Sequence, residues 1–163
     1  MRLSNKKKIP FFSFLQTMIL MATVFGVIMF LVERYKIDFL GWESIFFLII
    51  PAVLIILYLV RGKQVFEYDS DGETLTFNNY STIPMFKNPK KDEFPKYKLK
   101  NFEVANFYFV KKIVITLHSK KNNHLMLKYD ISYLSNKEVK DLKLSLRKVL
   151  NANKESQLVT ETV

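Results

Sequence analysis

The chain has 163 residues and carries 25 Lys+Arg against 15 Asp+Glu, a net charge of +10, which leaves room for about one ordinary domain. It contains no cysteine, which excludes a disulfide framework, a thiolate-held zinc or iron–sulfur site and a cysteine nucleophile. An apolar content of 49%, with 15% aromatic residues, excludes wholesale disorder.

The apolar residues crowd into the first third of the chain. Residues 1–8, with Arg2, Lys6, Lys7 and Lys8, form a short basic N-terminus. Residues 9–32 then run for 24 positions without a charge; as a helix they reach ~36 Å, more than the ~30 Å of a hydrocarbon core. This run exceeds the ~7–15 apolar residues of a cleaved signal peptide. It also closes on Met29, Phe30, Leu31 and Val32 where small residues would be needed for cleavage. A retained helix is expected. Ser44 to Val60 is a second charge-free run of 17 residues. Counting Phe39 to Trp42 as its outer end gives a second span over about 40–60, with Trp42 at the interface.

The short connector allows only a reversal, so the two spans read as a hairpin over 9–62. The first eight residues carry four basic side chains. Glu33 to Glu43 holds two basic and three acidic residues, and Arg61 and Lys63 follow the second span. The excess of Lys and Arg places both termini in the cytoplasm and the connector outside. Ala22 and Gly26, four apart, offer a small face against which the second helix can approach near Ala52. Pro51 lies mid-span and is expected to kink that helix. Neither core holds an Asp, Glu, Lys, Arg or His, which argues against an ion pathway through the pair alone.

Residues 63–151 read as a cytoplasmic β-rich domain. Val65–Asp69 and Thr74–Asn78 flank Ser70-Asp71-Gly72 as a hairpin. The carboxylates Asp69, Asp71 and Glu73 there are turn residues; the spacing lacks the last ligand of a calcium loop. A short edge strand is expected over 81–86, then an irregular loop over 87–95 because of its prolines and charges. Further strands follow over 102–110, 113–118 and 125–129, with turns at Lys111-Lys112 and at residues 119–123. His118 and His124 flank that last turn. Two histidines make at most half a zinc site, so no metal is expected. Ser135 and Glu138 form a capping box, followed by Val139, Leu142, Leu146, Val149 and Leu150 at helical spacing. The helix is expected over about 136–151, with a disordered tail over 152–163.

The expected fold is thus a membrane α-helical hairpin plus an α+β, mainly-β domain. That domain is an antiparallel β-barrel or meander closed by one C-terminal helix. Three stretches carry a resemblance: the hairpin from Tyr68 to Phe77, the paired strands around Lys120 and Lys121, and Ile131 to Val139 leading into the last helix. In this order, behind two membrane helices, they resemble bacterial membrane-anchored PH-like domain proteins. The resemblance covers roughly residues 64–150. It implies seven strands, a helix over one barrel opening, and a binding or scaffold module with no shared enzymatic activity.

Lys87, Lys90, Lys91, Lys96, Lys98 and Lys100 fall within fourteen residues, offset by Asp92 and Glu93. On a domain tethered to an anionic leaflet they are candidates for contact with lipid head groups or an acidic protein partner. No Gly-rich phosphate loop, Gly-x-Ser-x-Gly motif or paired catalytic carboxylate occurs. The reading is a non-enzymatic integral protein of the inner (cytoplasmic) membrane presenting a PH-like module at its surface, with no cofactor and no nucleic-acid partner. The alternative is an accessory or structural subunit of a larger membrane transport complex, acting through Ala22, Gly26 and Pro51 of its hairpin.

Overall fold

The structure, a computed structural model, describes residues 1–37, 39–83, 88–108, 110–119 and 123–161. It divides into two units: Pro10–Val60, and Met1–Ile9 together with Arg61–Val163.

The first unit is a helix pair. Helix α1 spans Ile9–Val32 and runs into a π-helical turn, Glu33–Ile37. A 3-10 turn, Gly41–Ile45, leads into α2, Phe46–Val60. The two stretches Lys6–Ile37 and Gly41–Val60 are long and apolar enough to cross a membrane, yet an apolar 18-residue window of each is only 6% and 17% buried by protein. A core helix of a water-soluble domain would be largely covered. The hydroxyls of Thr17 and Thr23 donate to the carbonyls of Ser13 and Ile19 one turn earlier, so they present no bare donor to an apolar medium. The connector is also internally satisfied. Glu33 is buried, and its Oε1 accepts the backbone N–H of Phe39, at 2.8 Å, and of Leu40. These are donors that the start of the next helical turn leaves without a helical partner.

The second unit holds seven strands, among the described residues, in two antiparallel sheets. Strands β1 (Arg2–Ser4), β2 (Val65–Asp69), β3 (Thr74–Tyr80) and β4 (Lys90–Pro95) form one sheet in that order. Strands β5 (Leu99–Phe107), β6 (Val110–Ser119) and β7 (Asn123–Asp130) form the other. Helix α3, Asn136–Glu161, follows. The two apolar helices, the antiparallel sheets and the single last helix match the general layout expected. The barrel does not form: the sheets remain separate. Between β4 and β5 the chain turns through a one-turn 3-10 helix, Lys96–Lys98, directly after Pro95, which has no N–H to donate to a ladder. β4 is left as the edge of its sheet.

Strand β1 was not expected. Residues 1–8 are basic in composition, but Leu3 is buried between exposed Arg2 and Ser4 and pairs with Tyr68. Asn5 continues this ladder with its side chain. Its Nδ2 donates to the Gln64 carbonyl at 2.8 Å and its Oδ1 accepts the Phe66 N–H at 2.9 Å. The Asn5 N–H still pairs with the Phe66 carbonyl at 3.3 Å, while the Asn5 carbonyl accepts the Lys8 N–H at 2.9 Å as the chain turns through Lys6–Lys8 into α1. The helix pair is thus an insertion between two neighbouring strands of one sheet.

Four other expectations change. The loop expected over 87–95 is largely β4, paired from Asn79↔Lys90 to Thr74↔Pro95; lysines and a proline suit an edge strand, where they discourage further pairing. Ser81–Ile83 is not a strand, and the rest of the one expected over 81–86 lies outside the described residues. The turn expected at Lys111-Lys112 lies three residues earlier, at Tyr108, and both lysines belong to β6. Finally, α3 continues ten residues beyond the expected end at 151. Asn153 anchors this extension by donating from Nδ2 to the carbonyls of Lys96, at 2.8 Å, and Leu99, at 3.0 Å.

The core is aromatic. Phe66, Tyr68 and Phe77 of the first sheet meet Tyr129 of the second, with Phe77 and Tyr129 stacked at 4.9 Å. Ile113, Ile115 and Leu117 supply the inner face of β6, and Val139, Leu142 and Leu146 the buried stripe of α3. Each such side chain contributes about 1.5–3 kcal/mol on burial. The two core tyrosines have their oxygens paired: Tyr68 with Ser145 at 3.0 Å, Tyr129 donating to Asp92 at 2.8 Å. Burial and the Asp92 carboxylate both hold the Tyr129 hydroxyl protonated, far above its ordinary range.

Candidate functional site

The most elaborate polar construction lies at the end of the sheet unit where the chain leaves for α1 and returns from α2. Two buried amides hold it together. Asn79 Nδ2 donates to the carbonyls of Val65 and Asp130, and its Oδ1 accepts the Asp130 N–H, all at 3.0 Å. One side chain thus mimics a strand rung between the two sheets. Gln64 accepts from the Ser81 hydroxyl at 2.9 Å and from the Thr82 N–H at 3.0 Å. Gly62, just after α2, has φ +80°, the left-handed conformation that ends helices. A Cβ there would lie 2.7 Å from the Asp130 carboxyl carbon. That closeness lets Lys63 N–H donate to Asp130 Oδ2 at 3.2 Å.

Cations from three distant stretches converge on this end. Lys8 Nζ donates to Glu138 at 2.9 Å and to the Tyr133 carbonyl at 3.4 Å. Arg61 stacks 5.2 Å above the Tyr133 ring. Lys63 Nζ reaches the carbonyls of Asn79 and Asn88. Lys111 Nζ donates to Asn136 at 3.1 Å, and Lys112 lies 3.9 Å from Asp130. Five cations therefore face two carboxylates. Burial, then neighbouring Lys90, hold the Lys63 ammonium below its ordinary pKa, with Asp130 and Asp92 opposing. Burial raises the Glu138 carboxyl, but the Ser135 N–H and the Lys8 ammonium outweigh it, leaving the group below its ordinary value. The capping box is present: Glu138 N–H donates to the Ser135 hydroxyl at 3.2 Å. These cations are scattered between positions 8 and 112, so no window of sequence could have joined them.

Of the six lysines singled out in the sequence, the five described ones do not gather into one patch. Lys87 lies outside the described residues. Lys90 opens β4 next to Lys63. Lys91, paired with Asn78 one step before Lys90, lies beside Glu67, Asn78 and Arg2 on the outer face of the first sheet. Lys96 closes the opposite end of that sheet, donating to the Gly72 carbonyl. Lys98 ends the 3-10 corner, and Lys100 marks the irregularity in the β5–β6 ladder. Lys90 and Lys96 are separated by the whole of β4, ~20 Å at ~3.3 Å per residue.

In the helix unit, the structure brings Gly26 and Pro51 together. A Cβ on Gly26 would overlap the Phe47 carbonyl oxygen and lie 3.0 Å from Pro51 Cγ, and both residues are buried. Ala22 is half-buried one turn earlier on α1, and Ala52 is exposed.

Other features carry less. A shallow depression of 290 Å³ on the outer face of the first sheet is lined by Arg2, Glu67, Asp69, Asn78 and Lys91. Its charges are largely spent on each other, through Arg2–Asp69 at 2.8 Å, Lys6–Glu67 at 2.7 Å and Asn78–Glu67 at 2.9 Å. His118 and His124 are partners in the β6–β7 register. Among the described residues, no three His, Asp or Glu side chains converge as a metal site would require. The chain matches no protein-family model, no curated protein and no solved structure.

Proposed function

We propose that this chain is a non-enzymatic integral membrane protein. Its helices cross the inner membrane as a hairpin and hold a PH-like binding or scaffold module on the cytoplasmic face. The observation that carries this is the β1–β2 ladder. Arg2↔Asp69, Leu3↔Tyr68 and Ser4↔Glu67 join the chain before α1 to the chain after α2 in one sheet. Both ends of the pair therefore lie on one side of any bilayer they cross, and the number of crossings is even. The basic character of the flanks makes that side the cytoplasm. A cleaved leader could not contribute the strand that β1 supplies.

The seven strands and the terminal helix support the PH-like reading; the missing barrel closure leaves it a likeness of layout. Lys8, Arg61, Lys63, Lys111 and Lys112 replace the single lysine run as the surface for anionic head groups. Each contributes up to ~1 kcal/mol near an anionic leaflet. Gly26 and Pro51 are engaged with each other inside the hairpin, which takes them away as a surface for another subunit's helix.

Extraction and proteolysis of native membranes test this reading. The protein should resist alkaline carbonate and leave the membrane only with detergent. Protease added to inside-out vesicles should remove the sheet unit, and protease added to right-side-out vesicles should spare it. Release by carbonate, or protection of the sheet unit in inside-out vesicles, contradicts the proposal.

A further inference from the structure

We propose that the tip of the β5–β6 hairpin, Phe107 and Tyr108, is a membrane-insertion tip that seats in the interfacial layer of the bilayer crossed by α1 and α2. This rests on the membrane reading above. It adds a second, non-helical contact between the sheet unit and the lipid.

Three observations carry it. The first is exposure. Phe66, Tyr68, Phe77, Phe94 and Tyr129 are buried, whereas Phe107 is 67% exposed and Tyr108 fully exposed. Among the described residues, Tyr97 is the other large exposed aromatic ring of this unit, at the far corner between β4 and β5. The second is conformation. Tyr108 has φ +37°, the left-handed region that two-residue hairpin turns require. Asn, Asp or Gly fill that position readily, whereas a bulky side chain there costs roughly 1–2 kcal/mol. The turn accepts this cost and gains no internal packing in return, since the ring touches solvent only.

The third is position. Strand β7 ends at Asp130, opposite Lys112, while β5 and β6 continue through Asn106↔Lys111 and Phe107↔Val110. At ~3.3 Å per residue the tip overhangs the end of β7 by roughly 7–10 Å. Asp130 bonds the Lys63 N–H, and Lys111 bonds Ser132 and Asn136. The tip therefore projects from the end of the sheet unit that carries Ile9 and Arg61, through which the chain passes into and out of the helices. Aromatic rings with adjacent lysines are the side chains that settle at the membrane–water interface, the rings among the glycerol and upper acyl groups and the ammonium groups at the phosphates. Tyr35, Phe39 and Trp42 in the connector are likewise exposed aromatic rings. A lipid surface is the partner this chemistry fits.

The absence of native cysteine makes single-cysteine labelling direct. The full-length chain is reconstituted in phosphatidylcholine–phosphatidylglycerol vesicles with an environment-sensitive fluorophore at Asn106→Cys, which keeps both aromatic residues. Glu73→Cys, in the β2–β3 turn at the opposite end, and Val53→Cys, in α2, serve as references. Spin-labelled lipids act as quenchers at shallow or deep positions. The expected result is blue-shifted emission at 106, with loss of fluorescence to the shallow quencher, and no loss at 73. Replacing both Phe107 and Tyr108 by Ser should abolish the loss at 106. If 106 behaves like 73 while 53 is quenched by the deep label, the insertion tip is wrong and the membrane reading stands. If 53 is unquenched, the membrane reading fails and the tip fails with it. Blue-shifted emission at 106 that ignores lipid quenchers but grows with protein density would show a second copy covering the tip, and would overturn the proposal.

Discussion

The helix pair and the sheet unit use apolar residues in opposite ways. Along α1 and α2, Phe14, Leu20, Phe25, Ile50 and Ile56 are each more than half exposed, and the buried close approach is made by a glycine and a proline. In the sheet unit Phe66, Tyr68, Phe77 and Tyr129 are buried, and the buried Asn5, Gln64 and Asn79 side chains bond to backbone and side-chain groups around them. The sheet unit gains its stability by removing apolar surface from water. The helix pair exposes that surface and gains nothing from burying it if its solvent is lipid, so what remains to hold it together is close contact of backbones. One chain is thus written for two solvents, and the strand β1 joins the two texts.

The comparison can be broken at its joint first. A fragment of residues 63–163 lacks β1, losing Leu3 burial and the two Asn5 amide bonds. Together these amount to ~4–5 kcal/mol, a large share of the ~5–15 kcal/mol margin of a small domain. It should fail to show a cooperative melt in the near-ultraviolet tyrosine signal. Residues 1–6 joined by a short Gly/Ser linker to residues 64–163 should restore that melt in water without detergent.

Within the intact chain, Asn79→Ala strands the Asp130 N–H and two carbonyls. It should lower the stability of the sheet unit by ~2–4 kcal/mol, read from the same tyrosine transition in detergent, and leave the helix pair unchanged. Gly26→Leu should do the reverse. Overlap with the Phe47 carbonyl and Pro51 should cost the helix pair ~2–3 kcal/mol. Trp42 is the single tryptophan, so its emission reports on that unit alone. A Trp42 transition that moves together with the tyrosine transition in both variants would show that the two regions are not independent.

The smallest expected effect is one of pH. The Glu138 carboxyl titrates below its ordinary value of 4.5 in the folded chain. Its stabilising effect is therefore complete above that value and is lost as pH falls through the lower, folded one. Solvent screening keeps it below about 1 kcal/mol. Glu138→Gln should flatten the acid limb of a stability–pH curve slightly, and an unchanged limb would remove the Lys8–Glu138 pair from the account.

The legible parts of this sequence were those with an unbroken local period. Two long charge-free runs gave the helices, the alternation of Leu75 and Phe77 gave β3, and Ser135 with Glu138 marked the start of α3. What stayed hidden depended on partners far along the chain. Leu3 is a single apolar residue beside lysines, and only Tyr68, across the inserted helices, makes it a strand. The charged, proline-bounded residues 90–95 read as a loop because edge strands are built from loop-like residues. Tyr108 occupies a turn position that its side chain disfavours, so the lysine pair nearby read as the better turn. The cation cluster spans a hundred residues and becomes a site only through the Asn79 bridge between the sheets.

The central claim is that an even-crossing hairpin is inserted into one sheet, and sidedness tests it most directly. Single cysteines at Arg2, Lys36 and Glu73 of the full-length protein, probed in intact cells and in inside-out vesicles with a membrane-impermeant maleimide, report each position separately. The account predicts that positions 2 and 73 react only in inside-out vesicles and position 36 only in intact cells. Positions 2 and 73 reacting from opposite sides would contradict it, because strands β1 and β2 could not then lie in one sheet.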